Sequence, residues 1–234
     1  MSYELRKQGT GADLAHSPHD LGADWIRANV AAAAATFVLG LATFGLRQML
    51  GLPDPNAAAF AKGLLAVAEV AAAATGFAIY AARTGAVLAR KLPDFPPLTW
   101  NALHILIGCG VGATVAFIEL NTESGSRESV AISSILRVAV GGMMTGAVIG
   151  AAAGGLQALV LRRAVREVGD WIRWSALAGT SFGGYALVLA IGSDQPLTDE
   201  VLTQLLGAAI AVAAGVAMLP ALYRLQPRVR LTRP

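Results

Sequence analysis

The sequence predicts an all-α polytopic membrane protein built as a six-transmembrane-helix bundle, and three observations carry that reading. The chain has 234 residues, of which 55% are hydrophobic and only 14% charged, where a soluble domain carries roughly a quarter charged residues. Residues 28–46, 138–161, 174–193 and 201–223 hold no charge at all. The apolar runs are continuous rather than alternating, which selects helices over a membrane β-barrel.

A hydrocarbon core of about 30 Å needs about 20 helical residues. Six segments meet that length, roughly 28–47, 60–82, 98–119, 134–161, 174–193 and 201–223. Residues 1–27 form a polar lead with both charge signs, unlike a cleavable signal peptide, so the first apolar segment is expected to stay as an anchor. Within that lead, Ser17-Pro18-His19-Asp20 is a helix-start signal, with Ser as cap and Pro at the first helical position. Pro53 and Pro55 break the first connection, and Pro93, Pro96 and Pro97 break the second. The 26 glycines would weaken soluble helices but suit a bundle in lipid, where small residues let backbones approach. Residues 224–234 form a basic tail, and no stretch resembles a separate soluble domain.

The cations set the orientation. With a cytoplasmic N-terminus, 14 of the 18 Lys and Arg residues fall on the inner side, leaving Arg47, Lys62, Arg127 and Arg137 outside. That asymmetry satisfies the positive-inside rule and puts both termini in the cytoplasm of a cell membrane of the bacterial inner-membrane type. The partner these cations meet is the anionic surface of the lipid bilayer, not nucleic acid, because no basic face exists away from the helix ends. Trp25, Trp100, Trp171 and Trp174 all fall near the inner interface and read as interface anchors in an aromatic belt.

The same tryptophans punctuate the chain. Trp100 follows Trp25 by 75 residues, and Trp174 follows Trp100 by 74. Asp24-Trp25-Ile26-Arg27 recurs unchanged at 170–173, and Trp100-Asn-Ala-Leu resembles Trp174-Ser-Ala-Leu. The pattern fits three parallel two-helix repeats, related by an axis along the membrane normal. Interfacial anchoring alone would also produce it.

The candidate functional residues are the polar groups inside the spans. Glu69 is the one charge between Lys62 and Arg83. A carboxylate near the midplane is expensive unless paired, hydrated or protonated, which makes it an ion or proton site or one half of a buried ion pair. Lys62, on the same helix face, and Arg47 and Arg137 are its possible partners. Asn101 and His104 share a face of the third span at i,i+3, and Gln157 lies at similar depth on the fourth. Hydrogen bonding between helices accounts for all three, and a proton relay through His104 is the sharper reading.

Glycine rows mark the helix-packing positions. Gly142, Gly146, Gly150 and Gly154 line one stripe of the fourth span, with Gly108 and Gly112 on the third and Gly179 and Gly183 on the fifth. They serve packing inside the bundle, a homo-oligomer interface or contact with other membrane subunits, or a narrow pore or sliding surface. Gly108-Cys109-Gly110-Val111-Gly112-Ala113 fits G-x-G-x-x-A in form, but it lies mid-span with no preceding strand, so no dinucleotide site is expected. Cys109 is the single cysteine and rules out an intrachain disulfide.

Arg166-x-x-x-Asp170 followed by Ala178-Gly179-x-x-x-Gly183 is similar to the loop-and-glycine signature of the mitochondrial preprotein-translocase channel family. The likeness covers about 18 residues. The chain departs from that family in a spacing one residue longer, in an unmatched upstream aromatic position, and in six spans where the family has four.

No Walker lysine, paired catalytic carboxylates, nucleophile elbow or zinc signature is present, and His16 and His19, though at metal-compatible spacing, lie in the polar lead, so no enzyme, metal or cofactor is expected. Two readings of function stay open. One is a small permease or channel for an ion or small solute, working through Glu69 and the bundle interior. The other is a non-catalytic accessory or assembly subunit that packs through its glycine-rich helices.

Overall fold

A computed structural model of the chain describes residues 18–52, 59–121, 132–181 and 196–228. Seven helices run through them: α1 Pro18–Met49, α2 Ala59–Lys91, α3 Pro97–Asn121, α4 Ile132–Leu161, α5 Gly169–Gly179, α6 Pro196–Ala217 and α7 Leu219–Arg224. Counting α6 and α7 as one span, five helices among the described residues are long and apolar enough to cross a membrane. This is the make-up of a multi-pass membrane protein. The expected fifth span is described as helix up to Gly179; residues 182–193, and Gly183 with them, lie outside the described residues.

Local sequence explains the helix ends. α1 starts at Pro18 and runs unbroken into the apolar stretch, so polar entry and first span are one 32-residue helix. α2 likewise continues beyond residue 82 through Arg90 and Lys91, because no breaker occurs before Pro93. Pro97 opens α3 at its first position, where a missing N–H costs nothing. α6 gives way to α7 at Met218. There Pro220 cannot donate to the ladder, and it disfavours helical geometry at Leu219 before it.

α1 packs along α2 and α6, α2 packs along α3, and α4 packs along α5. Lipid tails are as apolar as leucine, so these contacts depend on how closely backbones can approach. A Cβ added at Gly112 would stand 2.6 Å from Val70 Cα and 2.8 Å from the Glu69 carbonyl oxygen. One at Gly108 would stand 2.9 Å from the Ala73 carbonyl oxygen. The α4 stripe is turned toward α5 in the same manner. Gly179 lies against the Gly146 carbonyl, and a Cβ on it would be 3.1 Å from Gly150 Cα, while one on Gly154 would meet Ser175 Oγ at 2.7 Å.

The buried apolar core sits at one end of the bundle, where α1, α3 and α5 begin and α2, α4 and α7 end. It gathers Trp25, Leu88, Leu92, Phe95, Trp100, Leu161, Val165, Trp171, Met218 and Leu222. Because the arginine-rich connections lie there as well, we call it the basic end. Toward the other end large apolar side chains face outward, among them Val67, Phe117, Met144 and Val148, as lipid contact requires.

Gly112→Ala forces α2 and α3 apart and is expected to cost about 1–3 kcal/mol in detergent unfolding. Gly110→Ala, where a Cβ meets nothing within 4 Å, should be neutral or stabilise by up to about 1 kcal/mol through helix propensity. Equal unfolding midpoints for the two variants would contradict this packing.

Candidate functional site: a buried aromatic and amide layer

Three of the four tryptophans are turned into the protein interior rather than outward. Trp25 and Trp100 are 0% exposed and Trp171 is 1% exposed; Trp174 is half-buried against the same core. This corrects the expectation of an aromatic belt, and the reason is that each buried indole N–H has a partner inside. Trp25 donates to the Gly215 carbonyl at 2.9 Å, Trp100 to Thr84 Oγ1 at 3.3 Å, and Trp171 to Gln157 Oε1 at 2.8 Å. Trp171 meets Trp25 and Trp100 edge-on, with ring centroids 6.0 and 6.2 Å away, a favoured geometry for aromatic pairs.

A run of hydrogen bonds crosses this layer in one direction. The Trp171 N–H can only donate, so it fixes the Gln157 oxygen toward itself and turns the Gln157 NH2 to His104 Nε2, 3.0 Å away. Nε2 must then accept, which leaves the proton on Nδ1 to donate to the Trp100 carbonyl at 2.8 Å. Trp100 donates onward to Thr84, whose hydroxyl donates to the Tyr80 carbonyl at 2.7 Å. His104 is 1% exposed and meets the tilted rings of Trp100 and Tyr80, with centroids 4.4 and 5.3 Å away. The arrangement is satisfied only by the neutral Nδ1–H tautomer. A second proton on Nε2 would face the Gln157 NH2, and rotating that amide would leave the Trp171 N–H without an acceptor.

Among the described residues, the α4–α5 pair meets the other helices in this layer. Trp171, Gln157, Ser175 and Asp170 touch Trp25, Trp100, His104, Met218 and Arg224, all at the basic end. The Asp-Trp-Ile-Arg repeats occupy matching settings. Asp24 binds Arg90 at 2.7 Å and Arg27 at 3.1 Å; Asp170 binds Arg224 at 3.1 Å and Arg173 at 3.5 Å. In each case an acid at the start of one helix holds an arginine at the end of another. The polar residue four positions after each buried tryptophan is itself buried: Asn29, His104 and Ser175. Asn29 donates to the Trp25 carbonyl as His104 does to that of Trp100.

Sequence reasoning placed His104 and Gln157 together but missed Asn29, Ser175, Thr84 and Tyr80. The signal was the polar residue four places after each buried tryptophan, and it is weak because Asn or Ser near a span end is ordinary. Asn101, grouped with His104 by spacing, does not join the network. Its Oδ1 is buried without a hydrogen-bond partner among the described residues.

Glu69 belongs to a different depth. Its carbonyl lies beside Gly112, eight residues beyond His104 on α3, about 12 Å along the axis at 1.5 Å per residue. Its carboxylate is 3.8 Å from the Arg47 guanidinium, with side-chain exposures of 12% and 22%. That is a long ion pair, at a separation a bridging water can fill. An apolar groove of about 330 Å³ runs beside it between α1 and α2, lined by residues including Leu39, Thr43, Leu46, Ala68 and Thr75. The groove reaches neither His104 nor Gln157. A smaller cavity of about 160 Å³ opens at the basic end over Trp171, with Asp170, Arg173 and Arg224 on its wall. Among the described residues, no group of three His, Cys, Asp or Glu side chains is placed to hold a metal ion.

Compared with protein-family models, curated proteins and solved structures, the chain matches none.

Gln157→Leu and His104→Phe each strand a buried partner and are expected to cost about 1–3 kcal/mol. In a double-mutant cycle by detergent unfolding the pair should show about 0.5–2 kcal/mol of coupling. Strict additivity would mean that the two side chains do not share a bond.

Proposed function

We propose that this chain is a small permease for an ion or small solute in a cell membrane of the bacterial inner-membrane type. In this reading six spans form three parallel hairpins with both termini cytoplasmic, and the basic end is the cytoplasmic end. The observation that carries it is the way the α4–α5 pair meets the other helices, through a buried polar layer at one end. Among the described residues the two packed units join at the basic end, and alternating access needs packed units that can rock against one another. A hydrogen-bonded aromatic layer there serves as the closed gate. Ionisable and polar groups kept inside a membrane protein against their cost point to a pathway, and Glu69 with Arg47 lies on the far side of that gate.

The glycine stripe supports this reading over the accessory-subunit alternative, because Gly146, Gly150 and Gly154 are spent on α5 within the chain. What favours the alternative is a second set of glycines, Gly110, Gly141 and Gly155, beside which a Cβ would meet nothing.

Proteoliposomes test the proposal, with entrapped pyranine reporting proton flux and light scattering reporting the entry of small neutral solutes. The wild-type chain is expected to exceed empty vesicles in at least one assay. Glu69→Gln should reduce that flux about tenfold, a barrier change of about 1.4 kcal/mol, while the variant still purifies as a folded protein. Wild-type flux no greater than that of empty vesicles, or a Glu69→Gln flux equal to wild type, removes the proposal.

A further inference from the structure

Two acids at the basic end, Asp24 and Asp170, are committed. Asp24 holds Arg27 and Arg90, Asp170 holds Arg173 and Arg224, and Lys91 donates to the carbonyl oxygens of Leu222 and Tyr223. Apart from Arg83 on α2, four other arginines have no such partner. Arg162, Arg163 and Arg166 of the α4–α5 connection and Arg228 beyond α7 are all exposed, and none makes an ion pair among the described residues. Glu167, the one acid in that connection, makes none with them either.

These four do not share a region by chance of chain ends. The segment after α7 returns to the α4–α5 connection and pairs with it as an antiparallel bridge between Val165 and Pro227. The Arg228 N–H donates to the Ala164 carbonyl at 2.9 Å, and the Arg166 N–H to the Gln226 carbonyl at 3.3 Å. Val165 is 1% exposed, so the bridge is anchored in the core while its arginines stay outside. Main-chain bonds therefore hold the cations together without spending their guanidinium donors. Just before the patch, α4 turns Leu156 and Leu159 outward, which places the arginines where a headgroup meets its acyl chains.

We propose that this bridge-held arginine patch is a binding site for the phosphate headgroup of an anionic glycerophospholipid. Guanidinium groups match phosphate oxygens in paired hydrogen bonds, and the outward leucines provide the apolar continuation a lipid needs. The patch is shared between the α4–α5 connection and the segment that follows α7. A headgroup bound across it ties the α4–α5 pair to the rest of the bundle. The site rests on the membrane placement of the chain and stands whether or not the chain transports anything.

The experiment titrates fluorescent phosphatidylglycerol onto the full chain in neutral detergent, with fluorescent phosphatidylcholine as the uncharged comparison. Arg163→Gln with Arg228→Gln is expected to weaken phosphatidylglycerol binding about twenty- to thirtyfold, at about fivefold for each cation near the surface. A charge-matched control, Arg27→Gln with Arg83→Gln, should stay within about twofold of wild type. Arg163→Lys with Arg228→Lys, which keeps charge and fold, should fall between the two. Inorganic phosphate at equal ionic strength should not displace the lipid. Unchanged binding in the patch variant, an equal loss in the control, equal binding of phosphatidylcholine, or displacement by phosphate each overturns the assignment.

Discussion

The structure depends on the need to satisfy the indole N–H groups of tryptophans that lie inside the bundle. In lipid or in a dry core, an unpaired donor costs as much as a good packing contact gains. Trp171 resolves this through Gln157, which in turn commits His104, Trp100 and Thr84 to a single pattern of donors and acceptors. Each member constrains the next, so the layer specifies one arrangement of α2, α3, α4 and α5 where apolar side chains alone would tolerate several. That specificity comes with a liability, since one added proton or one flipped amide breaks the pattern.

Two kinds of contact divide the labour of holding the helices. Along their length, neighbours touch through backbone, as at Gly108 and Gly112 against α2 and Gly150 and Gly179 between α4 and α5. At the basic end, large side chains and ion pairs take over, with Asp24–Arg90 and Asp170–Arg224 clasping the helix ends. α3 has Thr99 before its tryptophan where α1 and α5 carry Asp24 and Asp170. Its link at this end is the His104–Gln157 bond. The symmetry that the repeated motif implies is thus weakest where the polar layer is densest.

Much of the fold was legible because membrane helices follow from length and apolarity alone, and the start of α3 at Pro97 and the break near Pro93 follow from proline chemistry. Helix limits were less so, since α2 keeps its helix through Arg90 and Lys91 after its apolar stretch ends. The polar site was half legible: His104 and Gln157 stood out as polar groups at one depth, whereas Thr84 and Tyr80 are unremarkable in sequence. Trp25, Trp100 and Trp171 misled for a physical reason. A tryptophan near a span end serves equally well facing headgroups or facing the core, and only a partner for its N–H decides which.

By itself the sequence determined the composition of the chain's solvent: long uncharged helices, cations collected at alternate connections, and glycines in rows at helical spacing. These are properties of single segments, set by hydrophobic length and charge. Only the tertiary structure decided which way the segments face. It turned the α4 glycines toward α5, brought Trp171 between Trp25 and Trp100, set Glu69 beside Arg47 and away from His104, and folded the segment after α7 back onto Val165. Those outcomes depend on helix rotation and on partners distant in sequence, and a hydrogen bond or a backbone contact has no energy until both sides are in place.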